Sequence, residues 1–246
     1  MAHSDKKSDL AVGGETLTKQ SPATVSSTGE VDAFLKAARS IKSGAGQGRL
    51  IFALDATMSR QPTWDMACGI QADMFREAGK IGSLAIQLVY FRGFGECRAS
   101  KWASNGDDLA RLMTGIAVRG GQTQIGKILS HALKATRKER VNAMIYVGDC
   151  LEEPIDPLCQ IAGELGLLGL PVFMFQEGHE PMAERGFKEI ARLSGGAYMR
   201  FHPGSAKDLR ELLSAVAVFA TGGHQALSDF SSQSSGAVKL IGQMKK

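Results

Sequence analysis

The stretch LIFALDATMSRQPTWD, residues 50–65, ends an apolar run on a carboxylate, Asp55, and follows it with hydroxyls at alternate positions, Thr57 and Ser59. Two other segments carry matching chemistry. RGGQTQIG, residues 119–126, is a glycine-rich loop with Thr123 at its tip, and NAMIYVGDC, residues 142–150, is a second apolar run followed by Asp149. All five side chains offer oxygen, and none is His or Cys. Hard oxygen donors suit Mg²⁺, or else Mn²⁺ or Ca²⁺, and argue against a zinc centre. Two plainer readings stay open beside this one. Ser59 and Thr123 can cap helices that start near Pro62 and Ile125. Asp149 can cap or begin a turn, and Glu152, Glu153 and Asp156 can favour the N-terminus of the helix that follows.

The surrounding pattern says where these residues sit. From Arg49 onward, short apolar runs alternate with segments of helical spacing. The runs 50–54, 84–91, 142–147, 172–175 and 198–201 read as strands, with a short edge strand over 96–102. Helices are expected over 62–79, 107–118, 125–138, 155–168, 184–193 and 206–219. Continuous apolar strands are buried on both faces, which points to an α/β chain with a doubly wound, mostly parallel central sheet and helices on both faces. In such sheets ligands bind beyond the C-terminal ends of the strands. Asp55 and Asp149 both lie there.

Around this unit, residues 1–29 are rich in Ser, Thr, Gly and Lys and read as a disordered tail. Residues 30–48 combine a short amphipathic helix over 30–42 with a Gly-rich linker. The domain proper covers 49–221, and the polar residues 222–246 read as a flexible tail. The glycines of SGAGQG precede a strand rather than follow one, so they do not form a dinucleotide fingerprint.

D-x-T-x-S at the end of the first strand, a loop threonine, and an Asp after a middle strand together resemble the von Willebrand factor type A (VWA) domain of the intracellular bacterial type. LSGGAYMRF, residues 193–201, resembles that family's late helix-to-strand junction. The resemblance covers roughly residues 49–221. It implies a Rossmann-like fold and a metal-ion-dependent adhesion site (MIDAS). Thr57, Ser59 and Thr123 would ligate a divalent cation, with Asp55 and Asp149 acting mostly through water. A partner protein's Asp or Glu would complete the coordination. The chain departs from the family pattern twice. Thr57 replaces the usual serine, which restricts the rotamer, and Asp149 is followed by Cys150 instead of glycine.

Composition narrows the alternatives. The 246 residues are 43% hydrophobic and 22% charged, with a net charge of +4, as in a globular domain. Residues 49–221 hold nearly equal numbers of basic and acidic side chains, which argues against nucleic acid. The basic run LKATRKER falls at a helix end, where cations complement the dipole. No apolar stretch has the length of a membrane span or a signal sequence. The four cysteines form no C-x-x-C pair, so a reduced, cytoplasmic setting is expected. A phosphohydrolase of the haloacid-dehalogenase type would use Asp55 as nucleophile, but it needs an acid at the position held by Thr57. The expectation is therefore a non-enzymatic, cytoplasmic, metal-dependent protein-interaction module. A metal-free VWA scaffold, a phosphohydrolase and a component of an RNA complex are the alternatives. Arg60 is read as either solvated or facing a partner, Trp64 as core, and Cys150 as a buried, inert thiol.

Overall fold

The computed structural model describes Met1 and residues 47–64, 68, 69, 72, 75, 84–202 and 205–244. The expected tail over 1–29 and helix over 30–42 lie outside these residues. So does most of the helix expected over 62–79.

Six strands form one sheet in the order β3-β2-β1-β4-β5-β6. They are β1 (Gly48–Asp55), β2 (Leu84–Arg92), β3 (Glu96–Ala99), β4 (Ala143–Gly148), β5 (Val172–Glu177) and β6 (Tyr198–Phe201). All pair in parallel except β3, which runs antiparallel to β2 at the edge. The chain leaves β1 for β2 on one side and returns to β4 on the other, so the order reverses between β1 and β4. A doubly wound sheet opens its ligand crevice at such a reversal.

Alternation along β1 splits the core in two. Leu50, Phe52 and Leu54 face one layer, built from α1 (Gly106–Thr114), α5 (Ala206–Phe230), α6 (Ser235–Ile241) and the helical positions 61–64, 68, 69, 72 and 75. Trp64, Cys68, Ala72 and Phe75 are buried there. Their spacing of four, four and three puts them on one helical stripe. Ile51 and Ala53 face the other layer, made of α2 (Ile125–Lys138), α3 (Ile155–Leu167) and α4 (Pro181–Ser194). In α2 the buried residues Ile125, Ile128, Leu129, Ala132 and Leu133 follow the same periodicity. The basic run ends this helix, with Arg137 and Lys138 in its last turn and Arg137 paired to Glu164. Glu180 caps α4 by accepting from the Met182 and Ala183 amides, and Gly195 ends it in the left-handed conformation, φ 76°.

The C-terminal part departs from expectation. Residues 222–244 are not loose. α5 runs past Thr221 to Phe230, with a break in helical geometry at Gly223 (φ 65°, ψ −157°). Ser234 then caps α6 through the Ala237 amide. Leu227, Phe230, Ala237 and Leu240 are buried in the same layer as β1. The polar SSQSS sequence supplies turn and cap residues between two helices, and its few apolar neighbours carry the packing.

Candidate functional site

Three loops meet at the reversal between β1 and β4. The first follows β1. Asp55 is fully buried, and its Oδ1 accepts from the Thr57 amide at 2.7 Å. The Thr57 and Ser59 hydroxyls lie 3.1 Å apart and share a hydrogen bond. Residues Met58–Arg60 form a single 3₁₀ turn. The Thr57 side chain does not cap it.

The second loop contains Thr123. An isolated parallel bridge joins Thr57 to Arg119, with the Arg119 amide bonded to the Ala56 carbonyl at 3.0 Å. Gly121 packs directly on Gly93 of the β2–β3 turn, and a Cβ there would lie 2.1 Å from the Gly93 carbonyl oxygen. Glycine at 121 is thus fixed by backbone contact.

The third loop follows β4 and closes on the second. The Thr123 amide donates to a Glu152 carboxylate oxygen at 2.9 Å, and the Glu152 amide donates to the Thr123 hydroxyl at 3.0 Å. Glu153 caps α2 through the Ile125 and Gly126 amides. The capping expectation for Thr123 is therefore not met. α2 is capped by a carboxylate from a different loop, and Gln124 at its N-cap makes no side-chain cap bond. Glu152 and Glu153 serve the preceding helix rather than the one after them.

Three buried oxygens in this crevice have no hydrogen-bond partner among the described protein groups: Asp55 Oδ2, Asp149 Oδ1 and the Tyr146 hydroxyl. Burial pushes the Asp55 carboxyl up to about 6, Asp149 adds to the rise, and hydrogen bonds from Thr57 oppose it. Burial also drives the Tyr146 hydroxyl well above its ordinary value, helped by Asp55, Asp149 and Glu153. These charges all fall on one small volume. Stranded acceptors in a buried site cost free energy unless something supplies positive charge or donors. The structure thus joins Asp55, Thr57 and Ser59 by direct bonds and places Asp149 within electrostatic reach of Asp55. Thr123 is tied in through Glu152 and through the Arg119 bridge to Thr57.

Among the described residues no group of three or more His, Cys, Asp or Glu could hold a metal ion. The donors are instead two carboxylates and three hydroxyls, a set that fits a hard divalent cation.

Sequence reasoning missed the structural anchor of the site. Arg60 is neither solvated nor facing outward. Its side chain is fully buried, with Nε and Nη2 donating to Glu177 at 3.0 and 2.8 Å and Nη1 donating to the Asp55 carbonyl at 3.0 Å. The two residues are 117 positions apart, and only the parallel sheet brings the end of β5 beside the β1 loop. The one local signal was an arginine inside a turn flanked by Trp64, whose ring it approaches at 5.5 Å. Trp64 is core, as expected, and its indole donates to the Ile116 carbonyl at 2.9 Å. The Cys150 thiol is half-buried and pushed up to about 11, chiefly by burial, so it is a poor nucleophile.

No family model matches the chain, and no curated protein matches it. Solved structures do. An aerotolerance-related membrane protein from Bacteroides fragilis aligns with a TM-score of 0.55 and 15% identity, over 69% of this chain and 98% of that one. Proximal thread matrix protein 1 from the mussel byssus, with a zinc-occupied MIDAS motif, aligns with a TM-score of 0.55 and 15% identity, over 70% of this chain and 46% of that one. The human COPII-coat protein Sec24c aligns with a TM-score of 0.50 and 10% identity, over 73% of this chain and 33% of that one. The chain thus spans under half of the mussel protein and a third of Sec24c. Identities this low speak to architecture alone, and the architecture they share with this chain is the VWA fold.

Proposed function

We propose that the chain is a non-enzymatic, metal-dependent protein-interaction module that acts in the cytoplasm. The observation that carries this reading is the pair of buried, stranded carboxylate oxygens, Asp55 Oδ2 and Asp149 Oδ1, on the loops that follow β1 and β4, with the Thr57 and Ser59 hydroxyls bonded to each other in the first of these loops. Thr57, Ser59 and Thr123 would hold a divalent cation directly, and Asp55 and Asp149 would neutralise it. When bound, the cation supplies a coordination position for an acidic oxygen from outside the chain. The residues themselves do the rest. Thr57 orients Asp55 through its amide, Glu152 fixes the Thr123 hydroxyl, and the Arg60–Glu177 pair holds the first loop against β5. VWA-type folds commonly serve protein interaction, and a zinc-occupied MIDAS in the mussel protein gives a precedent for a divalent ion on this fold.

Thr57 also weighs against phosphohydrolase chemistry. A hydroxyl bonded to Ser59 stands where a proton-donating acid is needed. No helix among the described residues is long and apolar enough to cross a membrane.

The test is calorimetric titration of chelator-treated protein with Mg²⁺, Mn²⁺ and Zn²⁺, run beside Asp55→Ala. Saturable binding in the parent that disappears in the variant is expected. Absence of binding in the parent for all three ions would make the chain a metal-free scaffold.

A further inference from the structure

Tyr146 lies within β4 and is fully buried. Its ring is held by two others. Phe91 stacks on it at 6.4 Å, and Phe187 meets it edge-on at 5.3 Å. Phenylalanine would make both contacts, so packing alone does not ask for the hydroxyl. That group has no hydrogen-bond partner among the described residues, whereas a buried tyrosine hydroxyl ordinarily finds one.

The ring lies along the strand. A Cβ built on Gly148 would meet the Tyr146 hydroxyl at 2.5 Å, so the hydroxyl fills the space that a side chain at 148 would take. Two residues along a strand advance it by about 6.6 Å. The hydroxyl is thereby carried out of the aromatic packing to the C-terminal end of β4, one residue short of Asp149. On the neighbouring strand Ala53 pairs with Tyr146 and Leu54 with Val147, so Asp55 comes level with Gly148. Asp55 also shares the alternation of Ile51 and Ala53, which face the same layer as Tyr146. The charges agree with this placement: Asp55, Asp149 and Glu153 all add to burial in keeping the proton on Tyr146.

One donor and two acceptors therefore stand unpartnered in this crevice: the Tyr146 hydroxyl, Asp55 Oδ2 and Asp149 Oδ1. A single water satisfies that set. It accepts from the tyrosine through one lone pair and gives its two hydrogens to the two carboxylates. Its second lone pair is left to face a cation.

We infer that Tyr146 is a positioning residue for a bridging water: its hydroxyl donates to one water, which donates to Asp55 Oδ2 and Asp149 Oδ1 and turns its remaining lone pair to the cation. The inference rests on the proposed cation site and names the group that orients the water through which both acids act. Partners that orient a metal's ligands from behind change its affinity by about 10–100-fold.

Tyr146→Phe tests this, because it deletes one oxygen and keeps the contacts with Phe91 and Phe187. Chelator-treated parent and variant are titrated with Mg²⁺ by calorimetry, and the near-ultraviolet tyrosine difference spectrum is recorded over the same titration. The variant should unfold cooperatively like the parent and bind Mg²⁺ about tenfold more weakly. The parent should show a Mg²⁺-induced tyrosine signal that is lost in the variant, where Tyr90 and Tyr198 remain as controls. A variant that binds Mg²⁺ as tightly as the parent overturns the inference and leaves the cation site standing. A parent with no tyrosine signal, or a signal that survives the substitution, does the same. A parent that binds no Mg²⁺ sinks the cation reading instead, and crystal structures of the chelated proteins then decide the role of Tyr146. A water bonded to all three oxygens in the parent and lost in Tyr146→Phe upholds it, and a parent without that water overturns it.

Discussion

Asp55 and Glu177 are both buried carboxylates near the C-terminal ends of parallel strands, β1 and β5, and Arg60 bonds to both neighbourhoods. Their treatment differs. Glu177 receives two guanidinium bonds to one oxygen, so its charge is matched inside the protein. Asp55 receives an amide bond on Oδ1, and its Oδ2 has no donor among the described residues. Arg60 turns its third nitrogen to the Asp55 backbone carbonyl rather than to the carboxylate. The fold therefore completes one acid and leaves the other open. A buried acid kept unmatched beside a second one costs stability, and such costs concentrate at functional sites.

The largest effect should come from breaking the completed acid. Arg60→Met leaves Glu177 buried without its cation and should destabilise the domain by about 3–5 kcal/mol in denaturant unfolding. Adding Glu177→Leu should recover most of that loss, since an apolar pair can replace a buried ion pair at little cost. If the double variant stays as unstable as the single one, the pair does more than match charge.

The open acid should respond the opposite way. Folding raises the Asp55 pKa from 3.8 to about 6, so the native state holds that proton more tightly than the unfolded chain. Metal-free stability should therefore fall as pH rises from about 4 to about 6, by a contribution on the order of 3 kcal/mol. Asp55→Asn should remove this slope and make the metal-free protein more stable above pH 6, by about 1–3 kcal/mol. Chelated samples melted across pH 4 to 7.5 give both numbers. An unchanged slope in the variant would place the titrating group elsewhere.

Smaller effects separate the loops. Glu153→Gln weakens the charged cap on α2 and should cost about 0.5–2 kcal/mol, measured by chemical unfolding. Ser59→Ala touches an exposed hydroxyl and should change stability by less than about 0.5 kcal/mol. Its cation affinity in calorimetry should still drop. A Ser59→Ala variant with unaltered affinity would remove Ser59 from the ligand set.

The contrast between the two acids also marks what could be read from the sequence. Asp55, Thr57, Ser59, Thr123 and Asp149 were visible because each follows an apolar run or fills a glycine-rich loop, and a parallel sheet sends all such positions to one edge. The strands were legible for the same reason: both-face burial writes an unbroken apolar run. Arg60 with Glu177 was not legible, since the pairing spans 117 residues and the Trp64 beside Arg60 says nothing of Glu177. The cap of α2 by Glu153 comes from a loop 28 positions away from Ile125, whereas local pattern reading assigns caps to adjacent residues. The C-terminal helices were obscured by composition. Serine-rich sequence reads as loose, yet Ala226, Leu227, Phe230, Ala237 and Leu240 supply enough spaced apolar contacts to dock it.

The position of Gly48 has a mechanical consequence. β1 starts there, against the Ala220 and Thr221 backbone, where a Cβ would lie 2.5 Å from the Ala220 carbonyl oxygen. The strand then runs eight residues to Asp55, a length of about 25 Å. Gly48 thus marks the end of the strand farthest from the cluster. A pull on that side would load β1 in shear between β2, paired from Gly48 to Asp55, and β4, paired from Leu50 to Leu54. Those hydrogen bonds must yield together rather than one at a time, so the loops at the far end would keep their grip until the strand itself slips.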